Sequence, residues 1–166
     1  VFSPLDTGAY TAYVVDTEGC RDSVTVSVFQ PDSLLISNVA VSDVDCNGNG
    51  NGSFEVTATG GTPAYEFSLD NVSFQNSNLL DGLDGGTYTI FVRDVNNCSF
   101  SVTDSIFEPT VLSIDTTSTT NITCNAGTDG EINVSAAGGT APYQFSIDGV
   151  SFAASASFTG LSDGSY

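Results

Sequence analysis

Asp43, Asp45, Asn47 and Asn49 stand at alternate positions in the stretch DVDCNGNGNGSFEV, with glycines following both asparagines. Oxygen-bearing side chains at the first, third, fifth and seventh positions, with a glycine at the sixth, are how calcium loops are spelled, because a hard cation gathers oxygens around a sharp turn. The bidentate glutamate that closes such a loop is missing: Phe54 holds the twelfth position, and Glu55 follows on the other side of the strand. Seventy-eight residues on, the corresponding positions are Asn121, Thr123, Asn125, Ala126 and Gly127, with no aspartate among them. A solvated Asx/Gly turn is therefore the preferred reading. Calcium remains the candidate cofactor at Asp43, Asp45, Asn47 and Asn49, and no other cofactor is expected.

Other chemistry is bounded more tightly. The chain has no histidine, so Ser-His and Cys-His nucleophile pairs and His-ligated zinc are excluded. Paired carboxylates could serve a glycosidase, but these acids lie in short turns and a catalytic pair needs a deep cleft. An enzyme is not expected. Lys and Arg number 2 against 20 Asp and Glu, a net charge of −18. Binding to nucleic acid or anionic lipid requires cations that neutralise phosphates, so neither is an expected partner. Hydrophobic residues make up 40% of the 166, enough to bury a core, yet no apolar run approaches a membrane span.

The elements that would position these residues repeat. GAYTAYVVDTEGC begins at Gly8, GTYTIFVRDVNNC at Gly86 and GSY at Gly164, each 78 residues after the last (86 − 8 = 164 − 86 = 78). The same offset links Cys20 to Cys98, Pro31 to Pro109, Cys46 to Cys124 and Asp70 to Asp148. With the prolines as junctions, residues 1–31 form the C-terminal part of a first repeat, 32–109 one complete repeat, and 110–166 the N-terminal part of a third. Such a chain reads as a section of a longer tandem array.

Within a repeat every local signal is strand. SFEVTATGG and EINVSAAGG alternate apolar with polar residues and stop at Gly-Gly. AYEFSLDN and PYQFSIDG alternate again and end in hairpin turn pairs. TYTIFVRDVNN and CSFSVTDSIFEP supply two further strands, the second ended by a proline that cannot donate to a ladder. The expectation is an all-β chain of tandem, small immunoglobulin-like β-sandwich repeats with a 78-residue period. Tyr10, Tyr88 and Tyr166 each follow a turn at the head of the penultimate strand, the place of a structural tyrosine corner.

The order of features is specific. A cysteine before an Asn/Gly turn, GGTPAY or GGTAPY, FSLDN or FSIDG, GLDGGTYTIFVRDVNNC and a closing EP together resemble SprB repeats of gliding-motility-type cell-surface adhesins. That resemblance implies a structural and adhesive stalk segment of a large filament, exported by the type IX route of Bacteroidota to the outer face of the outer membrane. It implies surface attachment or gliding, with neighbouring repeats of the same chain as partners and substratum or polysaccharide met by the full-length adhesin. The alternative is a glycan- or calcium-binding module in each repeat. Short junctions such as QPDS and EPTV leave little linker, so the array should be stiff.

In an extracellular protein the four regularly spaced cysteines read as disulfide partners. Cys20–Cys46 with Cys98–Cys124 keeps both partners local and is preferred. Cys46–Cys98 would staple one repeat internally, and a third option ties Cys46 to the following repeat.

Overall fold

A computed structural model describes residues 4–166, and among them there is no helix. Residues 32–109 fold as two three-stranded antiparallel sheets. One has the order β3-β4-β6, from Leu35–Ser42, Gly52–Thr59 and Leu79–Leu83. The other has the order β5-β7-β8, from Glu66–Ser68, Gly86–Arg93 and Ser99–Ile106. The chain changes sheet between β4 and β5, between β5 and β6 and between β6 and β7, the Greek-key wiring of an immunoglobulin-like sandwich.

Alternation explains the packing. Along β4, Phe54 and Val56 point inward and are fully buried while Glu55 and Thr57 face water. Ile90 and Val92 of β7 do the same from the opposite sheet, both 0% exposed. They meet Leu34, Val44, Phe67, Leu80 and Ile106 in one core. Each such side chain contributes roughly 1.5–3 kcal/mol by leaving water. The ring edge of Tyr88 packs on Phe54 at 5.8 Å between centroids.

The flanking stretches show the same elements in part. β1 (Gly8–Val15) and β2 (Arg21–Val28) pair as a hairpin in full register. They lie 78 residues before β7 and β8. β9 (Ser113–Thr120), β10 (Gly130–Ala137) and β11 (Ser157–Leu161) form a sheet in the order β11-β10-β9, matching β6-β4-β3.

One expected strand differs. AYEFSLDN shortens to the three residues of β5, and its copy PYQFSIDG forms no strand, only an isolated bridge between Phe145 and Ala153. The reason is pairing: β5 gains its ladder from β7, and residues 164–166, which correspond to the first three of β7, form no strand. Alternation marks a segment able to join a sheet, but a strand needs a partner.

Candidate functional site

The two ends of the 32–109 sandwich carry its polar side-chain networks. At the trailing end, where the chain leaves at Pro109, the Asn-Gly loop between β3 and β4 is tied to the end of β8. The Glu108 carboxylate accepts from Gly48 N at 2.7 Å and Asn47 Nδ2 at 3.2 Å through Oε1, and from Gly85 N at 3.1 Å through Oε2. Asn47 Nδ2 also donates to the Pro109 carbonyl at 3.0 Å. Val44 N donates to Phe107 O, and Phe107 N donates to the Asp43 carboxylate at 2.8 Å. One glutamate thus joins the Asn-Gly loop, the Gly-Gly turn before Tyr88 and the outgoing chain.

The four candidate metal ligands have separate tasks within this network. Asp43 holds Phe107, Asn47 holds Glu108 and Pro109, and Asn49 Nδ2 donates to Asp45 Oδ1 at 2.8 Å. The Asn49 amide, then Asn51, hold the Asp45 carboxyl below the usual carboxylate range. Among the described residues, no group of three or more Asp, Glu or Cys side chains gathers in a metal-binding arrangement.

At the leading end, where the chain comes in at Asp32, Asp94 closes the β7–β8 turn. It is only 5% exposed, and its carboxylate accepts from the backbone N–H groups of Thr62, Asn96 and Cys98, each at 2.9 Å. The Thr62 bond, followed by those from Cys98 and Asn96, holds its pKa below the usual carboxylate range against the opposing effect of burial. Next to Thr62, Gly61 N donates to Asp32 O at 2.7 Å, which pins the incoming chain. Gly60 and Gly61 both have positive φ, and a Cβ on Gly60 would lie 2.0 Å from the Ser33 carbonyl oxygen.

The junction to the next repeat is held from both sides. The Pro109 carbonyl accepts from Asn47, and the carbonyl of the adjoining Thr110 accepts from Gly139 N at 2.7 Å. Two consecutive carbonyls are therefore bonded, one to the preceding sandwich and one to the Gly-Gly turn of the following sheet.

The tyrosine positions share one geometry. Tyr10 OH donates to Asp6 O and Tyr88 OH to Asp84 O, both at 2.9 Å, and Tyr166 OH donates to Ser162 O at 3.1 Å. A second tyrosine pair escaped the sequence reading. Tyr65 and Tyr143 each donate to the carbonyl of the first glycine of their Gly-Gly turn, Gly60 and Gly138, at 2.6 Å. Its signal was present in the invariant five-residue spacing of GGTPAY and GGTAPY. The Glu108 clamp was also missed, and no local pattern announces it.

All four cysteine thiols are exposed and unbonded. Cys46 lies in the trailing-end loop and Cys98 in the leading-end turn, so Cys46–Cys98 would have to span the sandwich. Cys98 and Cys124 are separated by the lengths of β8 and β9, and neither this pair nor Cys20–Cys46 is joined in the structure.

A family model described as SprB repeat matches residues 38–74 and again residues 116–152. The chain carries two SprB repeats. Their spacing, 116 − 38 = 78, is the period of the sequence, and each match runs from the first strand of a unit through the Asx turn at Asp70 or Asp148. SprB repeats point to a repeat segment of a cell-surface, adhesin-like protein. No curated protein matches the chain. No helix among the described residues is long and apolar enough to cross a membrane.

Proposed function

We propose that this SprB-repeat chain is a non-catalytic stalk segment of a cell-surface adhesin filament, displayed on the outer face of the outer membrane for attachment or gliding. The observation that carries the reading is the junction: consecutive carbonyls at Pro109 and Thr110 are each bonded to a different repeat unit, which leaves no free linker residue between them. A stalk needs such joints, because slack at each one would accumulate along a tandem array and shorten its reach.

Glycan binding separates this reading from a binding module in each repeat. The 166-residue chain, labelled and applied to a glycan array, is expected to stay at background. Saturable binding to a defined glycan would replace the stalk reading with the module reading. Surface display would also oxidise exposed cysteines. Cys46 and Cys98 lie at opposite ends of one sandwich, and this supports partners in neighbouring repeats over the pairing of Cys46 with Cys98.

A further inference from the structure

The Asn-Gly loop of the complete repeat holds a chemistry that the clamp does not use. Asn47-Gly48, Asn49-Gly50 and Asn51-Gly52 follow one another without a break, and they are the only Asn-Gly pairs in the 166 residues. An asparagine followed by glycine can close on itself through attack of the glycine nitrogen on the side-chain Cγ. Glycine favours the attack because it has no Cβ to shield that nitrogen or to restrict the rotation that brings it in. The attack needs a free nitrogen and a backbone that can turn.

These two conditions are met unequally by the three pairs. Gly48 N is held by the Glu108 carboxylate at 2.7 Å, and the Asn47 amide donates both to that carboxylate and to the Pro109 carbonyl. Gly52 is buried, begins β4 opposite Leu83, and a Cβ on it would lie 2.7 Å from Ile106 Cγ2. Asn51 Oδ1 in turn accepts from Asp45 N at 3.3 Å. The middle pair lacks both restraints. Gly50 lies outside any strand, at a φ of +56°, and its N–H has no hydrogen-bond partner among the described residues. Asn49 is exposed, and its amide makes one bond, to Asp45 Oδ1 at 2.8 Å.

We propose that Asn49-Gly50 is a site of spontaneous covalent modification, deamidation through a succinimide, and that Glu108 protects Asn47-Gly48 from the same reaction. Gly50 N gives its proton to water and bonds to Asn49 Cγ, while the Cγ–Nδ2 bond breaks and its nitrogen leaves as ammonia. Water then adds to one of the two ring carbonyls and opens the ring as aspartate or isoaspartate. Water is the only co-reactant, and nothing is oxidised or reduced. The change matters at this position. The amide that donates to Asp45 becomes a carboxylate facing another carboxylate, so an attraction within the loop turns into a repulsion. At position 51 the same change would be silent. The following repeat carries Asp129 there, whose Oδ1 accepts from Thr123 N at 3.1 Å as Asn51 accepts from Asp45 N.

The test is peptide mapping by mass spectrometry on the whole chain, incubated for weeks in neutral buffer, with the chain unfolded in guanidinium chloride as reference. In the unfolded chain the three pairs should react at similar rates. In the folded chain Asn49 should keep that pace, while Asn47, whose nucleophile must first leave a charged acceptor, should slow by about tenfold or more. Asn51 should slow as well, and Asn125, followed by Ala126, should stay intact. Isoaspartate should accompany aspartate at position 49, since ring opening gives both and direct hydrolysis gives aspartate alone. Glu108→Ala should raise the Asn47 rate toward that of Asn49 and leave Asn51 slow, which also shows that the variant is folded. An Asn49 that stays intact, an Asn47 that keeps pace with it in the folded chain, or a product free of isoaspartate would each overturn the proposal. So would an Asn47 rate unmoved by Glu108→Ala, or one that rises only together with that of Asn51.

Discussion

Replacing Glu108 by alanine tests whether the trailing-end clamp holds the sandwich closed. The substitution removes three hydrogen bonds to one carboxylate, from Gly48 N, Asn47 Nδ2 and Gly85 N. Bonds to a charged group contribute roughly 1.5–3 kcal/mol each when water is excluded. Gly48 and Asn47 are exposed, so water replaces much of what they lose, whereas Gly85 is half-buried. The sum is about 2–3 kcal/mol, and for a unit of this size it lowers the melting temperature by roughly 10–20 °C. Glu108→Gln keeps one acceptor oxygen and should cost about half as much. The molecule also contains its own control. Gln30 occupies the same repeat position and is exposed, so Gln30→Ala should be nearly silent. Circular dichroism at the β-sheet minimum during a thermal ramp reads all three. A fall of less than about 2 °C for Glu108→Ala, or equal falls at positions 30 and 108, would refute the clamp.

Three further outcomes follow from the same geometry. Gly60→Ala places a methyl against the Ser33 carbonyl at a positive φ, and should destabilise the chain by at least about 3 kcal/mol in urea unfolding; a loss under about 1 kcal/mol would mean that this turn can relax. Tyr88→Phe keeps the ring on Phe54 and removes only the bond to Asp84 O, so about 1 kcal/mol should be lost in the same measurement, with the fold unchanged. Asp70 is held well below the usual carboxylate range by the Ser73 and Val72 N–H groups and the Ser68 hydroxyl, and Asp94 by Thr62, Cys98 and Asn96. Carboxyl groups whose pKa is depressed in the folded state stabilise the protein above the unfolded carboxylate pKa, and that contribution is lost as pH falls toward the folded one. The melting temperature should therefore be flat near neutrality and decline below about pH 4. In the double variant Asp70→Asn with Asp94→Asn the decline should be shallower, and an unchanged decline would assign it to other groups.

Much of the fold was legible because its signals are local. The alternation of Phe54 and Val56 with Glu55 and Thr57 and the Gly-Gly stops need only neighbouring residues to be recognised, and the 78-residue period needs only the sequence compared with itself. Tyr10, Tyr88 and Tyr166 were readable for the same reason, since each hydroxyl reaches a carbonyl four residues back. The opening loop shows the other limit. Its alternating aspartates and asparagines spell a cation site, but Asn47 and Gly48 both donate to Glu108, 61 and 60 residues away.

Sequence by itself determined the β class, the repeat and the turn chemistry, because period-two burial and positive-φ glycines are properties of short segments. Only tertiary structure decided which end of the sandwich each loop occupies, and hence that Cys46 and Cys98 lie apart and that Glu108 gathers two turns and a junction. Tertiary structure also decided that Glu66–Ser68 is a strand while its copy, residues 144–146, is not. The two segments carry the same pattern, but a β-strand is stabilised by its partner's backbone, and only the first has one.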